Sequence, residues 1–361
     1  MKNRLIIIGK NLYLNPPFME YIERELEHLG FLEQITKLPE TSSEIVPLLQ
    51  EQISGEGNIV IVANKKAFAP ISKLLATMTD DTLVLKESIL IPSKSEVYDD
   101  NSFLLRYGER SVNVVMAEPG KTVPLFLVEG EKRQGVIHIF NIDEEGAEAL
   151  LDPLAKSYEV EFSSTALTPG WLVVECGARK FGRMENFLKS VKQLMGEKVI
   201  ESTDIISYLI NRLSRAQKSV TFAESCTGGR IAAKLTSKAG SSTVFKGSLV
   251  TYSNRLKAGW LGVEKEVLEK FGAVSKECVE QMLTGAKEIA GADYAVAVSG
   301  IAGPGGGTPQ KPVGTVIIGA MSDTHTIVEE LHFEGDRNYI QDQSVLYAYK
   351  LLFQVASDEL F

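Results

Sequence analysis

Cysteine and histidine are scarce in this 361-residue chain, with three and four copies. Cys176, Cys226 and Cys278 are far apart, odd in number and without a Cys-x-x-Cys, which fits a reducing cytosol rather than a disulfide framework. No His-x-x-x-His and no Cys/His cluster offers a zinc site. Long apolar runs are missing too, since none approaches the ~20 residues of a membrane helix. At the start, Leu5 to Ile8 between Arg4 and Gly9 is too short for the apolar core of a signal peptide. A cytoplasmic protein without membrane contact is therefore expected. Basic residues are outnumbered, 38 Lys and Arg against 47 Asp and Glu. The net charge of −9 argues against direct nucleic-acid binding, which needs clustered cations. Residues 201–361 hold 16 basic and 18 acidic side chains, so the acidity sits mostly in the first 200.

What is present is an ordinary globular mix, 44% hydrophobic and 24% charged. The length suggests two or three domains at the usual ~150 residues each. Residues 4–9 and 58–63 read as short buried strands, with helical spacing over 18–29, 43–53 and 70–78 between and after them. Further strands are expected at 82–91 and 136–141, and a closing helix at 143–155. This alternation predicts an α/β domain with a parallel sheet covered on both faces. Around 156–200 the rhythm changes to a strand pair, 158–162 and 171–176, and a helix at 184–195: a small α+β module. From 201 onward strands and helices alternate again, with strands at 219–223, 248–252, 293–299 and 314–321.

Chemistry concentrates in the last part. Ala223-Glu224-Ser225-Cys226-Thr227-Gly228-Gly229 lies where a strand turns into a helix. Its glycines allow a sharp turn, and helix N–H groups above it could serve a nucleophile and an oxyanion. A polar helix cap would use the same residues. No histidine stands in any of these motifs, so the base expected for Ser225 is Lys257, in Thr251-Tyr252-Ser253-Asn254-Arg255-Leu256-Lys257. A lysine serves as base only when burial or nearby positive charge lowers its pKa; otherwise it is a solvated surface cation. Tyr252 could relay the proton or hold the lysine. Cys226 is the rival nucleophile. Ser299-Gly300-Ile301-Ala302-Gly303-Pro304 opens a Gly/Pro-rich loop that runs to Lys311-Pro312-Val313-Gly314-Thr315. It is neither a Walker A loop nor a dinucleotide fingerprint, because no helix follows it. Asp336 fits a helix cap, and Arg337 beside it could hold a phosphate.

In this order, the segments 224–229, 251–257, 272–275, 299–304, 311–315 and 335–337 closely resemble the carboxyl-terminal domain of the bacterial competence/damage-inducible CinA family. The resemblance covers about 203–355. It implies an amidohydrolase that converts nicotinamide mononucleotide to nicotinate mononucleotide and ammonia, with no metal and no cofactor. Ser225 would be the nucleophile, Lys257 the general base and Tyr252 its assistant. Thr227, Gly228, Gly229, Asn254, Ser299, Gly300, Ile301, Ala302, Gly303, Gly314, Thr315 and Arg337 would bind substrate. A homodimer is implied as well. Members often carry a second Arg four residues after the first, where this chain has Gln341, so weaker phosphate affinity is expected. A regulatory or scaffold protein that binds nucleotide without turnover is the alternative.

The resemblance sets a multidomain α/β architecture: a molybdopterin-binding-like α/β domain over 1–156, a KH-like α+β module over 157–200 and the deamidase domain over 201–361. The family's first domain is credited with nucleotide pyrophosphatase activity through a Gly-Gly-x-Gly-Pro-Thr loop followed by paired Asp. Here the chain reads Ala63-Asn64-Lys65-Lys66-Ala67-Phe68-Ala69-Pro70 instead, without the glycines or carboxylates. Residues 1–160 are accordingly expected to release no AMP from ADP-ribose with a divalent metal; metal-dependent release would overturn this.

Overall fold

The computed structural model describes residues 3–26, 32–53, 57–86, 88–108, 110–128, 134–178 and 182–361. The chain divides into two compact units, Met1–Gln134 and Gly135–Phe361. Among the described residues no helix is long and apolar enough to cross a membrane.

In the first unit β1 (Asn3–Ile8), α1 (Lys10–Tyr13), α2 (Pro16–Glu25), β2 (Leu32–Leu38), α3 (Ile45–Ile53), β3 (Gly57–Ala63) and α4 (Lys65–Met78) alternate. A hairpin of β4 (Leu83–Lys86) and β5 (Ile89–Pro92) stands apart, and β6 (Val97–Asp99), β7 (Ser102–Tyr107) and β8 (Arg110–Met116) complete the unit. The sheet runs β2-β1-β3-β8-β7-β6, parallel through β8 and antiparallel beyond it. Leu5 and Ile7 pack on one face while Ile6 and Ile8 pack on the other, which is why β1 is apolar without alternation. The stretch after β3 is helical: Asn64 caps α4 by accepting from the Ala67 N–H at 3.0 Å and ties to Asn11 at 2.8 Å. The chain thus passes from strand to helix through one residue.

The second unit opens with β9 (Gln134–Phe140), α5 (Glu144–Tyr158), β10 (Val160–Thr168), β11 (Trp171–Ala178), α6 (Met184–Met195) and β12 (Val199–Glu201). Their sheet order is β10-β11-β9-β12, a split βαβ arrangement. This corrects the expected boundary at 156. The strand and helix assigned to the first domain belong here, because β9 hydrogen-bonds to β12 and its Ile137 and Ile139 share a core with α5 and α6. The KH-like module expected over 157–200 is therefore extended at its amino-terminal side.

The rest comprises α7 (Ile205–Arg215), β13 (Val220–Glu224), α8 (Arg230–Thr236), β14 (Phe245–Val250), α9 (Asn254–Leu261), α10 (Lys265–Lys270), α11 (Lys276–Ala290), β15 (Tyr294–Gly300), β16 (Thr315–Met321), β17 (Thr326–His332), α12 (Arg337–Val355) and α13 (Ser357–Leu360). The sheet order is β14-β13-β15-β16-β17; β13 is parallel to both neighbours, while β16 and β17 are antiparallel. β17, α9 and α10 are elements the periodicity left unassigned. Phe140 and Trp171 of the module pack with Phe353 of α12, with ring centroids 5.1 to 5.8 Å apart, so module and sheet share one core.

Beneath this core His138 is buried, its Nδ1 accepting from the Trp171 indole N–H at 3.1 Å and its Nε2 facing the Ser202 carbonyl at 3.2 Å. Burial lowers its pKa from 6.5 to about 4. Since the folded value lies below the unfolded one, the unfolded chain takes up the extra proton first. The stability contribution of this group is complete above pH 6.5 and shrinks as pH falls to about 4. The loss is on the order of 3 kcal/mol. The urea midpoint should fall across that window, and less steeply in His138→Gln; parallel curves would remove His138 from the account.

Candidate active site

β13 ends at the point where the sheet order reverses, with β14 and β15 as parallel neighbours, so its carboxyl end opens into the crevice where α/β sheets bind ligands. Ser225 stands there, its N–H donating to the Val298 carbonyl at 3.0 Å. Gly228 and Gly229 take φ of 61° and 100°, left-handed conformations that turn the strand into α8.

Glu224 holds this turn. Its carboxylate is fully buried and accepts from the Thr227 hydroxyl at 2.8 Å, the N–H groups of Gly229, Ile231 and Ala232 at 2.9 to 3.1 Å, and the Ser248 hydroxyl at 3.1 Å. The first N–H groups of α8 are thus satisfied from within by a carboxylate, which also suits the positive end of the helix. Gly228 and Gly229, expected among the substrate-binding residues, therefore have no free N–H, since the Gly228 N–H is also engaged, with the Ser225 carbonyl at 3.1 Å. Among the described residues, the turn's Thr227 N–H has no acceptor, and the Cys226 N–H has none beyond its own thiol sulfur.

Lys257 comes from α9, whose start is capped by the Ser253 hydroxyl. Only 1% of the lysine is exposed; its Nζ lies 2.8 Å from Ser225 Oγ and donates to the Thr251 carbonyl at 2.7 Å. What covers it is α11. Gly285 presses so close to α9 that an added Cβ would stand 1.9 Å from the Leu261 carbonyl oxygen. Burial pushes the Lys257 pKa below the usual lysine value. The neighbouring thiols move the other way: burial raises Cys278 and takes Cys226 up to about 12, so both stay protonated at neutral pH. Cys226 loses its standing as rival nucleophile on that ground.

Tyr252 is not placed as expected. Its ring is exposed and its hydroxyl accepts from Arg337 at 2.7 Å, while the group that steadies Lys257 is the backbone of Thr251. Arg337 also donates to the Gly303 carbonyl at 2.6 Å, and Asp336 caps α12 as the sequence suggests. Asn254 is exposed at the first turn of α9. Ser299 is buried and donates to the Ala273 carbonyl at 2.7 Å, and Lys311 ties the Phe271 and Val274 carbonyls to the Gly/Pro-rich loop. Ile301, Gly314 and Thr315 use their backbones to clip the two ends of that loop together, at 2.8 and 2.9 Å. A Cβ at Gly314 would sit 2.0 Å from the Phe333 carbonyl oxygen, and one at Gly300 within 3 Å of β16, so these two glycines are needed for packing. Ala302 is buried beside them. Gln341 is buried rather than turned to a ligand, and donates to the Cys226 carbonyl at 2.5 Å. Among the described residues no group of three His, Cys, Asp or Glu side chains could hold a metal ion.

A buried Ser–Lys pair at the carboxyl end of a mixed α/β sheet defines the class. Residues 202–356 match the model of the CinA C-terminal domain. A CinA-like protein of Thermotoga neapolitana is 31% identical over 325 residues, covering 87% of this chain and 79% of the relative. One from Thermosipho melanesiensis is 36% identical, covering 70% of this chain and 66% of that relative's length. A solved competence/damage inducible protein from Agrobacterium tumefaciens shares 39% identity over 42% of this chain and 93% of its own, with a TM-score of 0.40. The chain belongs to the CinA family.

Glu224→Gln replaces one accepting oxygen with an amide nitrogen that only donates, so buried N–H groups lose a partner. A loss on the order of 2–3 kcal/mol is expected in urea unfolding. An unchanged midpoint would show that the turn does not depend on this carboxylate.

Proposed function

We propose that the second unit is an amidohydrolase that converts nicotinamide mononucleotide to nicotinate mononucleotide and ammonia. The observation that carries this reading is the Lys257 amine, buried and 2.8 Å from Ser225 Oγ. A desolvated lysine sheds its proton more readily than one in water and can serve as a base near neutral pH. Neutral Lys257 has two N–H bonds and one lone pair. One N–H bond goes to the Thr251 carbonyl, which leaves the lone pair for the serine proton.

Lys257 takes the Ser225 proton as Oγ attacks the carboxamide carbon. The tetrahedral oxyanion is held by the N–H groups of Cys226 and Thr227. The lysine returns its proton to the amide nitrogen, the C–N bond breaks, and ammonia leaves a nicotinoyl ester on Ser225. Water, deprotonated by Lys257, cleaves the ester and frees the carboxylate product. Arg337 is the cation for the substrate phosphate, exchanging its bonds to Tyr252 and Gly303 for a bidentate phosphate contact. Tyr252 then closes the nucleotide pocket rather than assisting the base.

The purified chain should release ammonia from nicotinamide mononucleotide, and Ser225→Ala and Lys257→Ala should each lose about 1,000-fold or more in kcat. The base must be neutral, so kcat/KM should rise with pH and level off above the depressed Lys257 pKa, below the usual lysine range. Loss in Lys257→Ala alone would move the nucleophile to Cys226 or water. Nucleotide binding without ammonia release would favour the scaffold reading.

A further inference from the structure

Gln341 lies one turn into α12 from Arg337 and is 7% exposed, its Nε2 donating to the Cys226 carbonyl oxygen at 2.5 Å. That carbonyl belongs to the peptide unit that also carries the Thr227 N–H. A trans peptide is planar, and its C=O and N–H point in opposite directions, so gripping one end fixes where the other aims.

The use of N–H groups along the turn makes this consequential. Ser225 donates to Val298, Gly228 to the Ser225 carbonyl and Arg230 to the Thr227 carbonyl, while Gly229, Ile231 and Ala232 donate to Glu224. Among the described residues that leaves the Thr227 N–H, and the Cys226 N–H with no partner beyond its own thiol. A donor aimed at a developing oxyanion works only when its direction is set beforehand. The Gly228 N–H on the Ser225 carbonyl and the Thr227 hydroxyl on Glu224 bracket this peptide, and the Gln341 amide is the group that grips its carbonyl directly.

We infer that Gln341 is a positioning residue for oxyanion stabilisation, holding the Cys226–Thr227 peptide so that the Thr227 N–H faces the oxygen of the reacting carbonyl. Its hydrogen bond also draws charge toward the Cys226 oxygen and makes the Thr227 N–H a stronger donor. This role replaces the phosphate contact expected at the position, and it rests on the reading of Ser225 as nucleophile.

The test separates the two ideas by using a probe that needs the oxyanion site but not the nucleotide. An alkyl fluorophosphonate reacts when Ser225 Oγ attacks phosphorus, fluoride leaves and Lys257 takes the proton, with the phosphoryl oxygen in the oxyanion position. Labelling rates are read by intact mass for the full chain, Ser225→Ala, Gln341→Met, Gln341→Glu and Gln341→Arg, beside ammonia release from nicotinamide mononucleotide. Ser225→Ala should not label. Gln341→Met should label about 10- to 100-fold more slowly and lose kcat by a similar factor, with KM within about twofold. Gln341→Glu should match that loss at high pH and recover relative to the parent as pH falls, because a protonated carboxyl donates again. Gln341→Arg keeps a donor and should stay within a few-fold of the parent. Parent-like labelling in Gln341→Met would overturn the inference, as would a Gln341→Glu deficit that pH does not change, the arm that decides if the methionine variant fails to fold. If the parent labels but releases no ammonia, the substrate reading fails while the role of Gln341 stands or falls on labelling. A parent that neither labels nor turns over would overturn both.

Discussion

Taking a lysine amine out of water is the constraint on which the rest of this site depends. An ammonium in a low-dielectric setting is costly, and the protein lowers that cost by favouring the neutral amine. Every part of the surroundings serves the exclusion of water. Gly285 lets α11 rest on the backbone of α9, and an extra methyl there would push the helices apart. The two thiols nearest the amine are themselves held neutral by burial, so neither stabilises the charged form as a thiolate would. Among the described residues, the polar atoms hydrogen-bonded to Nζ are a serine hydroxyl and a backbone carbonyl.

The helix after the Ser225 turn illustrates a different use of a familiar device. The positive end of a helix commonly receives an anion from outside. Here the anion is Glu224, inside the fold and one residue before Ser225, so the first N–H groups of α8 are already taken. Arg337 stands in the first turn of α12, directly after its cap Asp336.

α12 is buried nearly all round, which a single apolar stripe would not require. Its polar residues explain this by where they go. Gln341 reaches the Ser225 turn, Gln343 the Leu167 carbonyl at the end of β10, and Tyr349 the Ile231 carbonyl in α8. Lys350 is held over the Tyr347 ring and donates to its hydroxyl, and Tyr347 in turn bonds Glu329 of β17. One helix thereby joins the split βαβ module, the antiparallel edge of the sheet and the turn that carries Ser225.

The sequence alone determined the strands that are buried on both faces, the glycine turn after β13 and the Asp336 cap. These are local patterns: unbroken apolar runs, residues tolerant of positive φ, and short polar side chains before a helix. Only the tertiary structure decided what depends on partners distant in the chain. Strand 134–140 could be assigned to its sheet only through β12, some sixty residues later. The burial of Lys257 is set by α11, the satisfaction of Glu224 by α8 and β14, and the turning of Gln341 toward Cys226 by the packing of α12. Tyr252 shows the same limit from the other side, since its place five residues before Lys257 says nothing about the Arg337 guanidinium that takes its hydroxyl. Hydrogen-bond direction and desolvation are properties of a surrounding volume, and a linear pattern of residue types does not specify what fills it.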